Sequence, residues 1–322
     1  VIAHHGDRSE RLDPIVAALL AIIPKRDPAQ IDIAKARAFQ NAMLWIGAYR
    51  GRGRAGGIVD LTIAGRIPAR LYRPRARGPV PTIVFFHGGG FVFGNVPAYD
   101  AQCKRLRDDT GACILSIDYR LAPEHPFPAA VDDAIAATQW AAANVARLGG
   151  DATALAVAGD SAGGNLAAVA AIAMRDAGVP LHAQLLIYPA VDFVGLRSGE
   201  ASLRFPSHAY NGTGYFLTLE RMKWFADRYI DSEDDRAQWR ASPLRAPSLA
   251  GVAPAVVTVG GYDPLLDDVR VYTDALRRAN VPVTYLEYPR EVHGFYAMAP
   301  FSRSARRAAR ETGRAMRDTL LK

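Results

Sequence analysis

With 322 residues, 50% of them hydrophobic and 22% charged, the chain has the make-up of a globular protein with a large core, in one domain or one carrying an inserted part. No apolar run reaches the length of a membrane span, no signal-like opening is visible, and Cys103 and Cys113 do not make a disulfide framework, so the expected compartment is the cytoplasm. The net charge of +7 raises nucleic acid or membrane as a partner. However, six arginines and Lys322 against Glu311 and Asp318 put five of those charges after Phe301, where no aromatic residue follows to stack on a base.

Residues 1 to about 50 read as helical, with Ile15, Ala18, Leu19 and Ile22 on one apolar face and Ala34, Ala38, Ala42 and Trp45 or Ile46 on another. His4 and His5 are adjacent and lack a third ligand, so no metal site is expected. GRGRAGG formally satisfies G-x-G-x-x-G through Gly51, Gly53 and Gly56. It follows a helix and precedes a strand, the reverse of the dinucleotide-binding context, and reads as a linker. Beyond it the pattern predicts eight strands, beginning at Ile58, Ala69, Thr82, Cys113, Ala154, Gln184, Ala255 and Val283. The first two look like an antiparallel pair. Helices are expected over Asp100 to Thr110, Ala129 to Arg147, Gly164 to Ala177 and Pro264 to Arg278, so the fold class is α/β, a mostly parallel sheet covered on both faces. Between Tyr188 and Ala255 the alternation lapses into a loop rich in aromatics and glycine, with a helix near Leu219 to Ile230; an insertion of this kind usually covers a site. Its Asn211-Gly212-Thr213 matches the glycosylation tripeptide and is discounted. At the end of the chain, Ala305, Ala308, Thr312, Met316 and Leu320 recur at helical spacing, opposite a basic face.

The organising stretch is Ala154 to Asn165, ALAVAGDSAGGN. An apolar strand stops at Gly159 and an Ala-rich helix starts after Ser161, so G-x-S-x-G sits at a strand-to-helix junction, where a sharp turn lifts a serine oxygen clear of a sheet. Activating that serine requires a base and an orienting carboxylate, in the order Ser, Asp, His for this type of sheet. Asp263 lies in the loop after the strand Ala255 to Val259, and His293 in the loop after the strand Val283 to Tyr288. HGGGF, His87 to Phe91, directly follows the strand Thr82 to Phe86, where successive glycines let backbone N–H groups converge on an oxyanion. Asp267 and Asp268 come after Pro264, which suits the first turn of a helix, and are expected to be solvated charges there. His125, in a Pro-rich turn, and His182, ahead of a strand, are poor rival bases.

HGGGF, DYRLAPEHPFPA (Asp118 to Ala129), GDSAGGN, SPL (Ser242 to Leu244), YDPL (Tyr262 to Leu265) and HGF (His293 to Phe295) together resemble the hormone-sensitive lipase family of esterases, in its bacterial branch with the GDSAG elbow, within the α/β-hydrolase superfamily. The resemblance covers most of the chain from Pro81 to Tyr296. It implies an α/β-hydrolase core in two parts, 51–189 and 241–322, a cap made of residues 1–50 and an insertion over 190–240, and no cofactor or metal. Ser161 is implied as nucleophile, His293 as base, Asp263 as orienter, and the N–H groups of Gly89, Gly90 and Ala162 as the oxyanion hole, with His87 holding the glycine loop. Phe91, Tyr188, Phe205 and Tyr215 are the expected pocket walls. Gly260-Gly261 departs from the bulkier residues of many relatives. The expected activity is a serine carboxylesterase acting on short- to medium-chain acyl esters. An amidase or arylformamidase would use the same triad, and a non-catalytic binding protein is the rival of another class. The expected partner is a small acyl ester, with neither nucleic acid nor membrane, and a homodimer is left open.

Overall fold

The computed structural model describes residues 11–22, 31–46 and 55–322. His4, His5, Gly51 and Gly53 lie outside them. The eight expected strands form one sheet: β1 (Ala55–Ile63), β2 (Ile67–Pro74), β3 (Val80–Phe86), β4 (Cys113–Ile117), β5 (Gly150–Asp160), β6 (Ala183–Ile187), β7 (Ala255–Tyr262) and β8 (Val283–Val292), in the order β1-β2-β4-β3-β5-β6-β7-β8. β1 and β2 pair antiparallel, as do β2 and β4; every later pair is parallel. Apolar runs such as Ile83 to Phe86 and Ala156 to Ala158 are fully buried because helices cover the sheet.

Helices α1 (Pro14–Ile22) and α2 (Ile33–Ile46) precede the sheet. α3 (Asp100–Thr110) and α12 (Arg303–Leu320) pack together over one face, and α4 (Ala129–Asn144) and α5 (Ala162–Asp176) cover the other, with α10 (Leu266–Arg278) against β7 and β8. Between β6 and β7 lie the short helices α6 (Ala201–Arg204), α7 (Ser207–Tyr210) and α9 (Glu233–Ala237) and the longer α8 (Leu219–Tyr229), and α11 (Phe295–Met298) follows β8. On α12, Ala305, Ala308, Thr312, Met316 and Leu320 are buried and Arg303, Arg310, Arg314 and Arg317 are exposed, as the spacing predicts, while Arg306 of the same basic set is half-buried and donates to Ala299 O and Pro300 O. No helix among the described residues is long and apolar enough to cross a membrane.

Three expectations need correction. On α1 the packed residues are Val16 and Leu20, with Leu12 just ahead of the helix, while Ile15 is 45% exposed. On α2 they are Ile33 and Ala36, with Ala34, Ala38 and Ala42 outward. Long-range contacts fix α2: Arg37 reaches from it to Val92 O (2.7 Å), Ala122 O (2.8 Å) and the Glu124 carboxylate, which sets its rotation against the weak alanine stripe. The linker reading fails for Gly56, which belongs to β1, close against Pro74.

The third correction concerns strand ends. β7 and β8 were expected to stop near Val259 and Tyr288, with Asp263 and His293 in following loops. Both strands instead run to Tyr262 and Val292, and deliver these residues directly. Gly260 and Gly261 interrupt the apolar pattern but not the strand. A Cβ on Gly260 would lie 2.5 Å from Glu291 O, and one on Gly261 2.6 Å from Pro289 O, so the missing side chains let the two strands close up at an irregular register.

Candidate active site

β5 ends at Asp160 and α5 begins at Ala162, with Ser161 between them at φ 55°, ψ −117°. The turn is possible only because its glycines are bare: a Cβ on Gly163 would lie 2.0 Å from Phe86 O, and one on Gly159 2.1 Å from Gly163 O. Ser161 N donates to Ile187 O (2.8 Å), and the Asn165 amide, one turn into α5, donates to Ala190 O and Ala241 O, fixing the elbow to the start and end of the inserted region. Phe91, Ser161 and Tyr188 all have positive φ, a concentration of strained backbone at one end of the sheet.

At that end the three expected residues meet. His293 Nε2 lies 2.9 Å from Ser161 Oγ, and His293 Nδ1 lies 2.8 Å from Asp263 Oδ2. Asp263 is fully buried; its Oδ1 accepts from Leu265 N (2.8 Å), which leaves Oδ2 aimed at the imidazole. The Tyr188 ring packs against the imidazole at 4.6 Å between centroids. His125 is exposed, and His182 precedes β6 at the other end of the sheet, so neither takes part.

The glycine loop lies beside Ser161. Gly89 and Gly90 have φ of 119° and 63°, and Gly89 O accepts from Val92 N and Phe93 N in a tight turn. A Cβ on Gly89 would lie 2.3 Å from Phe93 O. His87 is buried, stacked on Tyr119 at 4.3 Å, with Nδ1 2.9 Å from Gly88 O, and Tyr119 Oη donates to His87 O. Burial pushes the His87 imidazole below its ordinary pKa and keeps it neutral, as befits a group that holds the loop.

Asp160, the D of GDSAG, supports the same loop: its Oδ1 accepts from Gly88 N at 2.8 Å and Tyr99 Oη lies 3.4 Å from its Oδ2. Burial raises its carboxyl to about 7, against the opposing pull of the Gly88 N–H and of His293. A raised carboxyl pKa means that the folded chain holds a proton the unfolded chain gives up. The stability linked to this group is therefore present at acid pH and lost as pH rises towards and past 7. Asp160→Asn, which keeps an acceptor for Gly88 N, should gain on the parent as pH rises, by roughly 2 to 3 kcal/mol more at about pH 8 than at about pH 5. Denaturant melts at the two pH values check this; a stability difference that does not grow with pH rejects it.

A cavity of about 120 Å³ opens on Ser161 and His293, lined by Gly89, Gly90 and Ala162 on the core side. Of the four expected walls, Phe91 and Tyr188 line it and Phe205 and Tyr215 do not. Phe205 is buried against His208 (5.4 Å), and Tyr215 packs on Tyr262 (5.1 Å), both turned away within the insertion. Their places are taken by Phe193, Phe216, Arg221, Met222 and Phe225. The signal for Met222 and Phe225 was the stripe Met222, Phe225, Ala226 and Tyr229 at i, i+3, i+4, i+7 on α8, which outranks single aromatics in an irregular loop. Asp267 and Asp268 sit in the first turn of α10, away from His293 as expected, but they are not solvated: Asp268 is buried with Nε2 of His208 at 2.8 Å, and Asp267 accepts from Ser207 N. Asn211 is buried and donates to Gly261 O and Asp263 O, which agrees with discounting it as a glycosylation site.

A family model described as alpha/beta hydrolase fold matches residues 83–297. The chain belongs to this family, in its hormone-sensitive lipase branch. Among curated relatives of this α/β hydrolase, the carboxylic ester hydrolase LipN of Mycobacterium tuberculosis is 44% identical over 74% of the chain, an alignment that spans 64% of LipN itself. Carboxylesterase NlhH of the same organism is 35% identical over 95% of the chain and 94% of its own length. Among solved structures, the hyperthermophilic esterase of Pyrobaculum calidifontis superposes with a TM-score of 0.89 at 37% identity, covering 97% of this chain and all of that one.

Proposed function

We propose that the protein is a serine carboxylesterase for short- to medium-chain acyl esters. The observation that carries this is the unbroken line from Ser161 Oγ through His293 to the buried Asp263 at the floor of an apolar cavity. Ser161 attacks the ester carbonyl while His293 Nε2 takes its proton, and Asp263 holds the ring with Nδ1–H towards the carboxylate and stabilises the imidazolium. The N–H groups of Gly89, Gly90 and Ala162 receive the oxyanion, helped by the positive end of α5. His293 then returns the proton to the leaving alcohol, and water, activated by the same nitrogen, cleaves the acyl-enzyme. The names of LipN, NlhH and the Pyrobaculum enzyme support the ester as substrate class.

Residues 190–240 serve as the cap, together with the N-terminal segment, a reading supported by Phe193, Phe216, Met222 and Phe225 in the cavity wall. The cytoplasm is the compartment we favour, on the strength of two free, buried cysteines. A cavity of this size limits the acyl chain: each methylene that fits gains up to about 0.8 kcal/mol and further ones gain nothing. Rates on a series of nitrophenyl esters should rise to a maximum at roughly four to eight acyl carbons, at the short end of that range, and then fall. An organophosphate should label Ser161 and stop the reaction. Highest activity on long-chain triglyceride emulsions, or equal rates on an ester and its matching amide, would overturn this reading.

A further inference from the structure

We propose that Arg221 makes the site selective for esters whose alcohol portion carries a carboxylate. The inference rests on the esterase reading above and deepens it. The cavity wall is mainly apolar, and its ionisable side chains of acid or base type other than His293 are Asp160, Asp192 and Arg221. Two of these are already engaged. Asp160 is bonded to the glycine loop, and Asp192 is clamped by Arg245, at 2.8 and 3.0 Å, and by Arg204, at 3.1 Å. Arg221 differs. Among the described residues its guanidinium meets one acceptor, Phe216 O, 2.9 Å from Nη1, and no carboxylate within ion-pair reach. A guanidinium has five donors in a planar fork matched to a carboxylate, so most of the fork of this cavity-lining residue is left without a protein acceptor among the described residues. Desolvation lowers the Arg221 pKa with no neighbouring acid to offset it, although a guanidinium stays charged throughout the working range. A partly buried cation without a counter-ion carries an electrostatic cost that an anionic ligand would remove.

The position of Arg221 says which part of the substrate bears the anion. Arg221 and Phe225 are four residues apart and share one side of α8. The Phe225 ring covers Gly90, where a Cβ would lie 2.3 Å from it, so that end of the helix sits over the oxyanion loop. The Arg221 guanidinium lies 5.6 Å from the centroid of the Phe216 ring, and that ring covers Gly294, next to His293. Arg221 thus stands on the histidine side of the cavity. His293 hands its proton to the leaving alcohol, so the alcohol portion occupies that side during acyl transfer.

The test compares para-carboxyphenyl butyrate with its neutral isostere para-carbamoylphenyl butyrate on the parent, Arg221→Gln and Arg221→Lys. The readout is the ratio of kcat/KM for the two esters, which cancels any general damage to the pocket. In Arg221→Gln the ratio should fall roughly 10- to 100-fold, the range for one charge-assisted hydrogen-bonded contact. Arg221→Lys should restore part of it, and in the parent the ratio should decline as salt is raised. Titrations of para-hydroxybenzoate and para-hydroxybenzamide into parent and Arg221→Gln need no turnover, and the acid should bind tighter only to the parent. A ratio unchanged in Arg221→Gln, equal loss on both esters, or no preference for the acid in the titration overturns the proposal and leaves Arg221 as a brace for Phe216. A parent that hydrolyses neither ester but still prefers the acid refutes the esterase reading and supports the anion site.

Discussion

Asp263→Asn should lower kcat by about 10⁴ in a protein that still folds, the size of the loss when a triad carboxylate becomes an amide with its geometry kept. The local hydrogen bonds explain both halves of that expectation. Asp263 Oδ1 accepts from Leu265 N at 2.8 Å, and an asparagine oxygen there preserves the turn into α10. The amide nitrogen then replaces Oδ2, 2.8 Å from His293 Nδ1. It donates where the carboxylate accepted, so the neutral imidazole must carry its proton on Nε2. That tautomer faces Ser161 Oγ with an N–H and cannot take the serine proton. Single-turnover rates with a nitrophenyl butyrate, alongside a melting curve, give the result; a folded variant with near-parent kcat sinks the assignment of Asp263.

Ser161, Asp263 and His293 were legible in the sequence because each depends on a local pattern that the sheet converts into proximity. An apolar strand, a bare glycine and a serine before an Ala-rich run fit an ordinary Gly-rich turn as well as the elbow; Asp263 and His293, each after a later strand and in the right order, decide it, and parallel strands bring them to the same edge. The cavity walls were less legible. Phe205 and Phe216 are both aromatics in irregular chain, where no period reports which way a side chain turns, and only the packing of α7 and α8 decides that Phe205 meets His208 while Phe216 covers Gly294. The burial of Asp268 was not legible at all. An aspartate in the first turn of a helix reads as a solvated charge favoured by the dipole, and nothing near it in sequence announces a histidine sixty residues upstream.

That pairing leads to the second large effect, on stability rather than rate. α7 is riveted to the start of α10: Ser207 Oγ donates to Pro264 O at 2.6 Å, Ser207 N donates to Asp267 Oδ2 at 2.8 Å, and Asp267 N donates back to Ser207 Oγ at 3.1 Å. The innermost contact is His208 Nε2 with Asp268 Oδ2, at 2.8 Å and with both side chains out of reach of water. Burial pushes the Asp268 carboxyl pKa up while the His208 imidazole pulls it down, so the carboxylate depends on this partner for its charge. Asp268→Ala removes the partner and leaves His208 buried with a polar nitrogen unmatched, a loss of about 3–5 kcal/mol for breaking a buried pair from one side. In melting temperature that corresponds to a drop of roughly 5–10 °C for a chain of this size. Asp268→Asn retains an acceptor oxygen for a His208 N–H and should lose less than half as much. Well below the melt, both variants should keep kcat within a few-fold of the parent, since Asp268 touches neither His293 nor Ser161. An Asp268→Ala protein that melts with the parent shows that the pair adds nothing to the fold. One that stays folded and inactive while Asp263→Asn remains active moves the orienting carboxylate from Asp263 to Asp268.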